Sequence, residues 1–374
     1  MATARHRWLL DLTHLPSTSG LEHRVIEWVK AWVERRDDLR LVSDSAGNLL
    51  ITAKGRKSKT PPIIAAAHMD HPGFVVESVS GRDVTAGFRG GVLAQYFDGA
   101  AVEFFDVRDG RHEGKVVAYN EDTQQAVVQL KLPTSVLGIG SIGRWRFGPP
   151  KLGVKRGMLH APACDDLAGV AAALTALDQA RKKPELRHFG VLLTRAEEEG
   201  LLGAVAAARD RTCPDGSRVL SIETSRSFPD SPIGGGPIIR VGDRSSVFDS
   251  DLTNRLTEVV RAAKLPHQRK LMAGGTCEAT AFGAYGISAT GLCLALGNYH
   301  NMADIEGVEA GTAKAVVAPE VISLDDFDGL VNVMLAAAKG LDAAASDGAA
   351  SDSAVSDLRS RLDAGFEARS HLLT

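Results

Sequence analysis

The stretch Arg195-Ala-Glu-Glu-Glu-Gly-Leu-Leu-Gly-Ala204 directly follows the apolar run His188-Phe-Gly-Val-Leu-Leu-Thr194. The apolar run has the length of a strand, and the residues from Leu201 to Ala208 are compatible with a helix. The three adjacent carboxylates of residues 197–199 repel one another, and a divalent metal ion is the strongest candidate to offset that repulsion. A solvated acidic turn is the alternative for this tripeptide taken alone.

Further apolar runs end in residues of the same kind. One run ends in His68 and Asp70, a second in Glu223, and a third in His300. In open α/β sheets, binding sites form in the crevice outside the carboxyl ends of the strands. Histidine, aspartate and glutamate together suit a metal that accepts nitrogen and oxygen ligands. The pattern therefore predicts a metal site at one edge of a sheet.

Asp165 and Asp166 stand at the start of a helical stretch farther along the chain. An acidic residue at this position can serve as the N-cap of the helix and needs no other function. A capping role is therefore the alternative to metal binding for this pair.

Composition favours an ordinary soluble globular protein. The 374 residues are 44% hydrophobic and 24% charged, with a formal net charge of −3, which indicates neither a nucleic-acid nor a membrane partner. We find no apolar stretch of about 18 residues and no signal peptide. The four cysteines are scattered, as expected for free thiols in a reducing compartment. We therefore expect a cytoplasmic location.

The pattern of apolar and turn residues divides the chain into two domains and a tail. We predict an α/β catalytic domain, with an α/β/α arrangement around a mixed sheet, formed by residues 1–73 and 159–342. Short strand-like runs separated by turn residues, such as Asp109-Gly110, predict a small all-β domain over residues 74–158. Residues 343–374 are predicted to form a mobile tail, with a possible short helix near 355–366.

Five motifs in this order resemble those of the glutamyl/tetrahedral aminopeptidases, a family of dinuclear, co-catalytic zinc metallopeptidases. They are His68-Met-Asp70-His-Pro-Gly-Phe-Val-Val, Asp165-Asp166, Glu197-Glu198-Glu-Gly-Leu-Leu-Gly-Ala, Glu223 and His300. The resemblance covers roughly residues 10–341 and includes the β insertion between the first two motifs.

The resemblance implies two divalent metal ions per chain, Zn²⁺ or Co²⁺, bridged by Asp165. It implies that Asp70 orients His68, and that Glu197 acts first as general base on the metal-bridging water and then as general acid. It also implies a peptide substrate and a homo-oligomer. The remaining ligands so implied are His68 and Glu223 for one metal, and Glu198 and His300 for the other.

The predicted activity is the hydrolysis of N-terminal residues from peptides. Two alternatives stay open: a metal-dependent N-acyl-amino-acid deacylase or carboxypeptidase, and a non-catalytic binding protein on a peptidase fold. The β insertion favours the aminopeptidase, because the related deacylases usually carry an α/β dimerisation domain. Cys277 and Glu278 stand where the family usually has an aspartate and a small residue, so the sequence does not predict which N-terminal residue is preferred.

Overall fold

A large mixed sheet and a separate closed barrel organise the chain. The computed structural model describes residues 4–55, 60–153 and 157–341. The predicted tail at 343–374, with its possible helix near 355–366, lies outside these residues.

Nineteen strands and eight α-helices are present in the described ranges. The strands are β1 Leu39–Ser43, β2 Leu49–Ala53, β3 Ile63–His68, β4 Gly73–Ser80, β5 Asp83–Arg89, β6 Ala101–Phe105, β7 Arg111–Asn120, β8 Gln125–Leu130, β9 Ile142–Trp145, β10 Lys151–Gly153, β11 Met158–Ala161, β12 Phe189–Thr194, β13 Arg218–Arg226, β14 Ile238–Asp243, β15 Gln268–Met272, β16 Ser288–Leu296, β17 Met302–Ala303, β18 Val316–Val317 and β19 Glu320–Ser323. The helices are α1 Ala4–His14, α2 His23–Glu34, α3 Leu167–Ala180, α4 Leu202–Arg209, α5 Ser250–Ala262, α6 Glu278–Ala284, α7 Ile305–Glu309 and α8 Leu324–Gly340.

The large sheet has eight strands in the order β1-β2-β12-β3-β13-β16-β14-β15. The four central strands, β12, β3, β13 and β16, run parallel to one another, whereas β2 and β14 pair with this group in the antiparallel sense. In this register Thr194 lies beside His68. The carboxyl ends of the central strands therefore meet at one edge.

The central strands are covered on both faces, which explains why β3 is apolar without alternation. All six of its residues are buried. Ile63 and Ala65 belong to the core formed with α1, α2, α3, α5 and α8, and Ile64 and Ala66 belong to the core formed with α4 and α6. The predicted α/β class with a mixed sheet is confirmed.

Strands β4 to β9 close into a six-stranded barrel in the order β4-β5-β8-β7-β6-β9. Its interior is an aromatic cluster in which Phe74 packs edge-to-face on Phe88 and on Trp145. Strands β10 and β11 lie outside the barrel, because they form a three-stranded sheet with β19. Strand β11, which begins at the last residue of the segment 74–158, thus pairs with β19, which directly precedes α8.

No helix within the described ranges has both the length and the apolar character that crossing a membrane requires.

Candidate metal centre

A cavity of about 880 Å³ opens at the carboxyl edge of the central strands. The predicted ligands and the predicted base all line it, although they come from five separate parts of the chain. These residues are His68, Asp165, Glu197, Glu198, Glu223 and His300.

Asp165 lies at the centre of the cluster, between two imidazoles. Its Oδ1 is 3.4 Å from His68 Nε2, and its Oδ2 is 3.5 Å from His300 Nε2. On the other side of His300, Nε2 is 3.0 Å from Glu198 Oε1. Ligand atoms of His68, Asp165 and Glu198 all fall within 4.8 Å of one another. The two carboxylate oxygens of Asp165 thus point to two adjacent positions.

Both imidazoles are oriented through Nδ1, which leaves Nε2 directed at the carboxylates. Nδ1 of His68 faces the Asp70 carbonyl oxygen at 3.2 Å and Asp70 Oδ1 at 3.4 Å. Nδ1 of His300 faces the Gly91 carbonyl oxygen at 2.7 Å. A hydrogen bond at one ring nitrogen fixes the tautomer and orients the other nitrogen for metal binding.

The electrostatics of the cluster favour added positive charge. Burial alone would lower the pKa of His68, but its proximity to Asp165 and Asp70, together with the charge of Glu197, outweighs burial and raises that pKa well above its usual value. Burial raises the pKa of the Glu223 carboxyl to about 8. Buried carboxylates crowded in this way are stabilised as anions when cations lie between them.

Within the set of candidate ligands, two buried carboxylate oxygens have no hydrogen-bond partner among the described residues. They are Asp165 Oδ1 and Glu223 Oε1, and leaving such an oxygen unsatisfied costs about 1–3 kcal/mol. Imidazole nitrogens and carboxylate oxygens are ligands that Zn²⁺ accepts. The donor set and its unpaired oxygens therefore fit divalent metal ions.

Asp70 does more than contact His68. Its side chain is fully buried and accepts hydrogen bonds from Ser19 Oγ at 2.6 Å, from Glu197 N at 3.0 Å and from Glu198 N at 3.1 Å. One carboxylate thereby fixes both the imidazole at the end of β3 and the acidic turn after β12. The sequence predicted only the first of these contacts.

Within the acidic turn, the three glutamates have different surroundings. Burial raises the pKa of the Glu197 carboxyl well above its usual value, and the charges of Glu223 and Glu198 add to this effect. Glu198 is in contact with His300, as described above. The Glu199 side chain is bound by another segment of the chain, because its Oε1 accepts a hydrogen bond from Gly90 N at 2.8 Å.

The segment that follows strand β5 of the barrel reaches the site through its backbone. Gly90 donates to Glu199, and the neighbouring Gly91 carbonyl accepts from His300. Neither glycine is among the site residues predicted from the sequence. Their backbone carries the interaction, so no side-chain pattern could have indicated it.

A buried arginine in the cavity wall was also not predicted from the sequence. Arg240 is 3% exposed and lines the cavity together with Glu223. Its Nε and Nη1 have no hydrogen-bond partner within the described ranges. Cys277 lines the same wall, and Glu278 is fully buried. Arg240 lies within β14, away from any strand end, so the pattern of strand-terminal residues did not reveal it.

Comparisons with known proteins agree with this geometry. The family model for M42 glutamyl aminopeptidases matches residues 134–313. A protein from Acetivibrio thermocellus, assigned as an aminopeptidase, is 27% identical over 71% of this chain and 82% of its own length.

Two solved structures share the fold. The TET aminopeptidase of the marine sediment archaeon Thaumarchaeota archaeon SCGC AB-539-E09 has a TM-score of 0.75 at 20% identity, over 90% of this chain and 97% of that one. The Pyrococcus horikoshii TET1 peptidase has a TM-score of 0.71 at 19% identity, over 90% and 99%.

The fold, the acidic and imidazole-lined cavity and these matches define a hydrolase of peptide bonds. The prediction of an enzyme is confirmed. The resemblance to the M42 glutamyl aminopeptidases that the motifs had indicated is confirmed.

Proposed function

We propose that this aminopeptidase removes N-terminal residues from peptides with the help of two divalent metal ions, Zn²⁺ or alternatively Co²⁺, held in the cavity. The main support is the convergence of five ligand-type side chains, with two oxygens unpaired, on one small space. Asp165 would bind both ions, because its two oxygens face different imidazoles. The other ligands would be His68 and Glu223 for one ion, and Glu198 and His300 for the other.

Glu197 is the proposed general base and then general acid. Two divalent metal ions bound here would lower the pKa of a water molecule and polarise the scissile carbonyl. Glu197 would accept the proton of that water and return it to the leaving amine. Its backbone is fixed by the bond to Asp70, and its raised pKa suits a carboxylate that must hold the proton between the two transfers.

The activity is tested with aminoacyl chromogenic substrates, each paired with its N-acetylated counterpart. We expect turnover of the free-amine substrates only, with activity lost on chelation and restored by Zn²⁺ or Co²⁺. Preference for the acetylated forms would support a deacylase instead. Cleavage at the carboxyl end of blocked peptides would support a carboxypeptidase.

The cavity wall favours substrates whose N-terminal residue is acidic. A buried arginine with two unpaired nitrogens is costly, and a substrate carboxylate would pair with it through charge-assisted hydrogen bonds. Arg240 provides such a group on the wall that also carries Glu223. The description of the matching family as glutamyl aminopeptidases is consistent with this preference.

Replacing Arg240 tests the preference. For Arg240→Met we expect KM for a glutamyl substrate to rise about 10- to 100-fold, because hydrogen bonds to a charged group contribute roughly 1.5–3 kcal/mol. KM for the matching glutaminyl substrate should change little, and Arg240→Lys should retain part of the difference. An equal loss on both substrates would mean that Arg240 only balances the charges of Glu223 and Asp243, which both act on its guanidinium group.

We also propose that the chain forms a homo-oligomer. The Pyrococcus horikoshii TET1 peptidase is described as assembling into a tetrahedron or a large octahedral shell, and the shared fold makes a similar association reasonable here. Light scattering after size exclusion tests this: a monomer at micromolar concentration would contradict it. The cytoplasmic location stays a prediction, for which cell fractionation is the test.

A further inference from the structure

We propose that Glu320 is a positioning residue that holds two candidate metal ligands, Asp165 and His300, with a single carboxylate. Glu320 begins strand β19 and is fully buried. Its Oε2 accepts hydrogen bonds from Cys164 N at 2.6 Å and from Asp165 N at 3.0 Å, while its Oε1 accepts from His300 N at 3.0 Å. This inference rests on the proposed function.

The geometry explains why such an anchor is needed. Asp165 lies two residues before the start of α3, and His300 follows β16, so no element of secondary structure joins them. His300 also has a left-handed backbone, with φ 51° and ψ 35°, which costs a residue with a side chain about 1–2 kcal/mol. A carboxylate that accepts three backbone N–H bonds stabilises both segments at a fixed separation.

Other side chains link the same segments without involving Glu320. His71 Nδ1 faces the Asp165 carbonyl oxygen at 2.6 Å, and its Nε2 faces Asn301 Oδ1 at 3.1 Å. Asn301 Nδ2 in turn donates to the Pro162 and Ala318 carbonyls. The segments therefore stay joined when Glu320 is changed. The expected consequence is a shift of the ligands and not the unfolding of the region.

A buried carboxylate can also bind backbone amides for stability alone, and Asp326 provides a matched comparison. It is 2% exposed and accepts from Gly234 N at 2.7 Å and Gly236 N at 2.8 Å. Neither glycine adjoins a candidate ligand. Asp326→Asn and Glu320→Gln each replace one accepting oxygen by a donor, so their effects on stability should be of similar kind.

The experiment compares wild type, Glu320→Gln, Glu320→Ala and Asp326→Asn as full-length chains. Three quantities are measured: the Zn²⁺ dissociation constant by chelator competition, kcat on an aminoacyl substrate, and the Tm of the metal-free protein. For Glu320→Gln we expect a 10- to 100-fold weaker Zn²⁺ affinity, a lower kcat, or both, as found when groups that orient metal ligands are changed. Asp326→Asn should lower Tm alone.

Unchanged Zn²⁺ affinity and kcat in Glu320→Gln would overturn the positioning role, whatever happens to Tm. Glu320→Gln decides the matter if Glu320→Ala does not fold. Failure of the proposed function is distinguishable, because then the wild-type chain itself would bind no Zn²⁺ and show no metal-dependent turnover. That result would also contradict the positioning role of Glu320.

Discussion

At the scale of single residues, the roles of the carboxylates follow from what surrounds each of them. Asp70 is saturated with hydrogen-bond donors, so it is an anchor. Glu198 touches an imidazole directly, as a ligand would. Glu197 combines a raised pKa with a position in the cavity wall, which suits a group that takes up and releases a proton.

Glu197→Gln should separate chemistry from metal binding. The amide cannot accept the proton, so we expect kcat to fall by about 10²- to 10⁴-fold while the metal content stays that of wild type. Glu121→Gln, in the exposed turn between β7 and β8, is the control. Turnover of Glu197→Gln at the wild-type rate would remove Glu197 from its proposed role.

Glu278 gives the metal-free protein a specific dependence on pH. It is fully buried, and burial raises its pKa to about 7 against the opposing effects of the His68 charge and of a hydrogen bond with Thr194. An acid whose pKa is higher in the folded state than in the unfolded state favours folding while it is protonated. The contribution of Glu278 to the free energy of unfolding is therefore complete below the usual glutamate pKa, and it is lost as the pH rises through about 7.

Glu278→Gln should stabilise the metal-free protein under basic conditions only. The amide mimics the protonated acid, so the free energy of unfolding should exceed that of wild type by up to about 3 kcal/mol above the folded-state pKa. The two proteins should be nearly equal at acidic pH, below the usual glutamate pKa. Calorimetry at acidic and at basic pH measures the free energy of unfolding of both proteins. A difference that does not depend on pH would contradict the raised pKa of Glu278.

At the scale of elements, the ends of the parallel strands were predictable and the loops between them were not. The apolar runs before His68, Glu223 and His300 did mark three central strands, because a doubly covered parallel strand leaves a clear apolar signature. Only His68 is the last residue of its strand, since β13 continues to Arg226 and β16 ends at Leu296. Arg240 lies inside β14, and Glu320 lies on a short strand far from the recognised motifs. Neither position carries a local pattern that indicates a site.

Gly90→Ala should disturb the site by displacing the segment that follows strand β5 of the barrel. Gly90 has φ +98°, and an added Cβ would lie 2.8 Å from Pro72 Cβ. Displacing this segment moves the Gly91 carbonyl that orients His300, so we expect a loss in kcat of roughly tenfold or more, as for other changes to groups that orient metal ligands. Gly99→Ala is the control, because Gly99 also has a positive φ, +65°, but no atom within 4 Å of the added carbon. Equal kcat in the two variants would contradict the proposed effect of this segment on His300.

At the scale of the whole molecule, two modules contribute to one site. The α/β domain supplies the candidate ligands and the candidate base, whereas the segment beside the barrel supplies backbone groups that bind His300 and Glu199. The sequence predicted the β insertion from its short strands and turns. It did not predict this contact, since long-range backbone contacts depend on how the two modules pack. The boundaries 74–158 stay a prediction, as β10 pairs with β11, and β11 in turn pairs with β19.

The convergence of His68, Asp165, Glu198, Glu223 and His300 is explained if two cations occupy the cavity that these residues line. Elemental analysis of protein purified without chelator and then equilibrated with Zn²⁺ measures this. We predict close to two metal ions per chain, falling to one or fewer in Asp165→Ala, which lacks the shared ligand. A wild-type chain that retains no metal, or an Asp165→Ala variant that retains the full complement, would contradict the proposal.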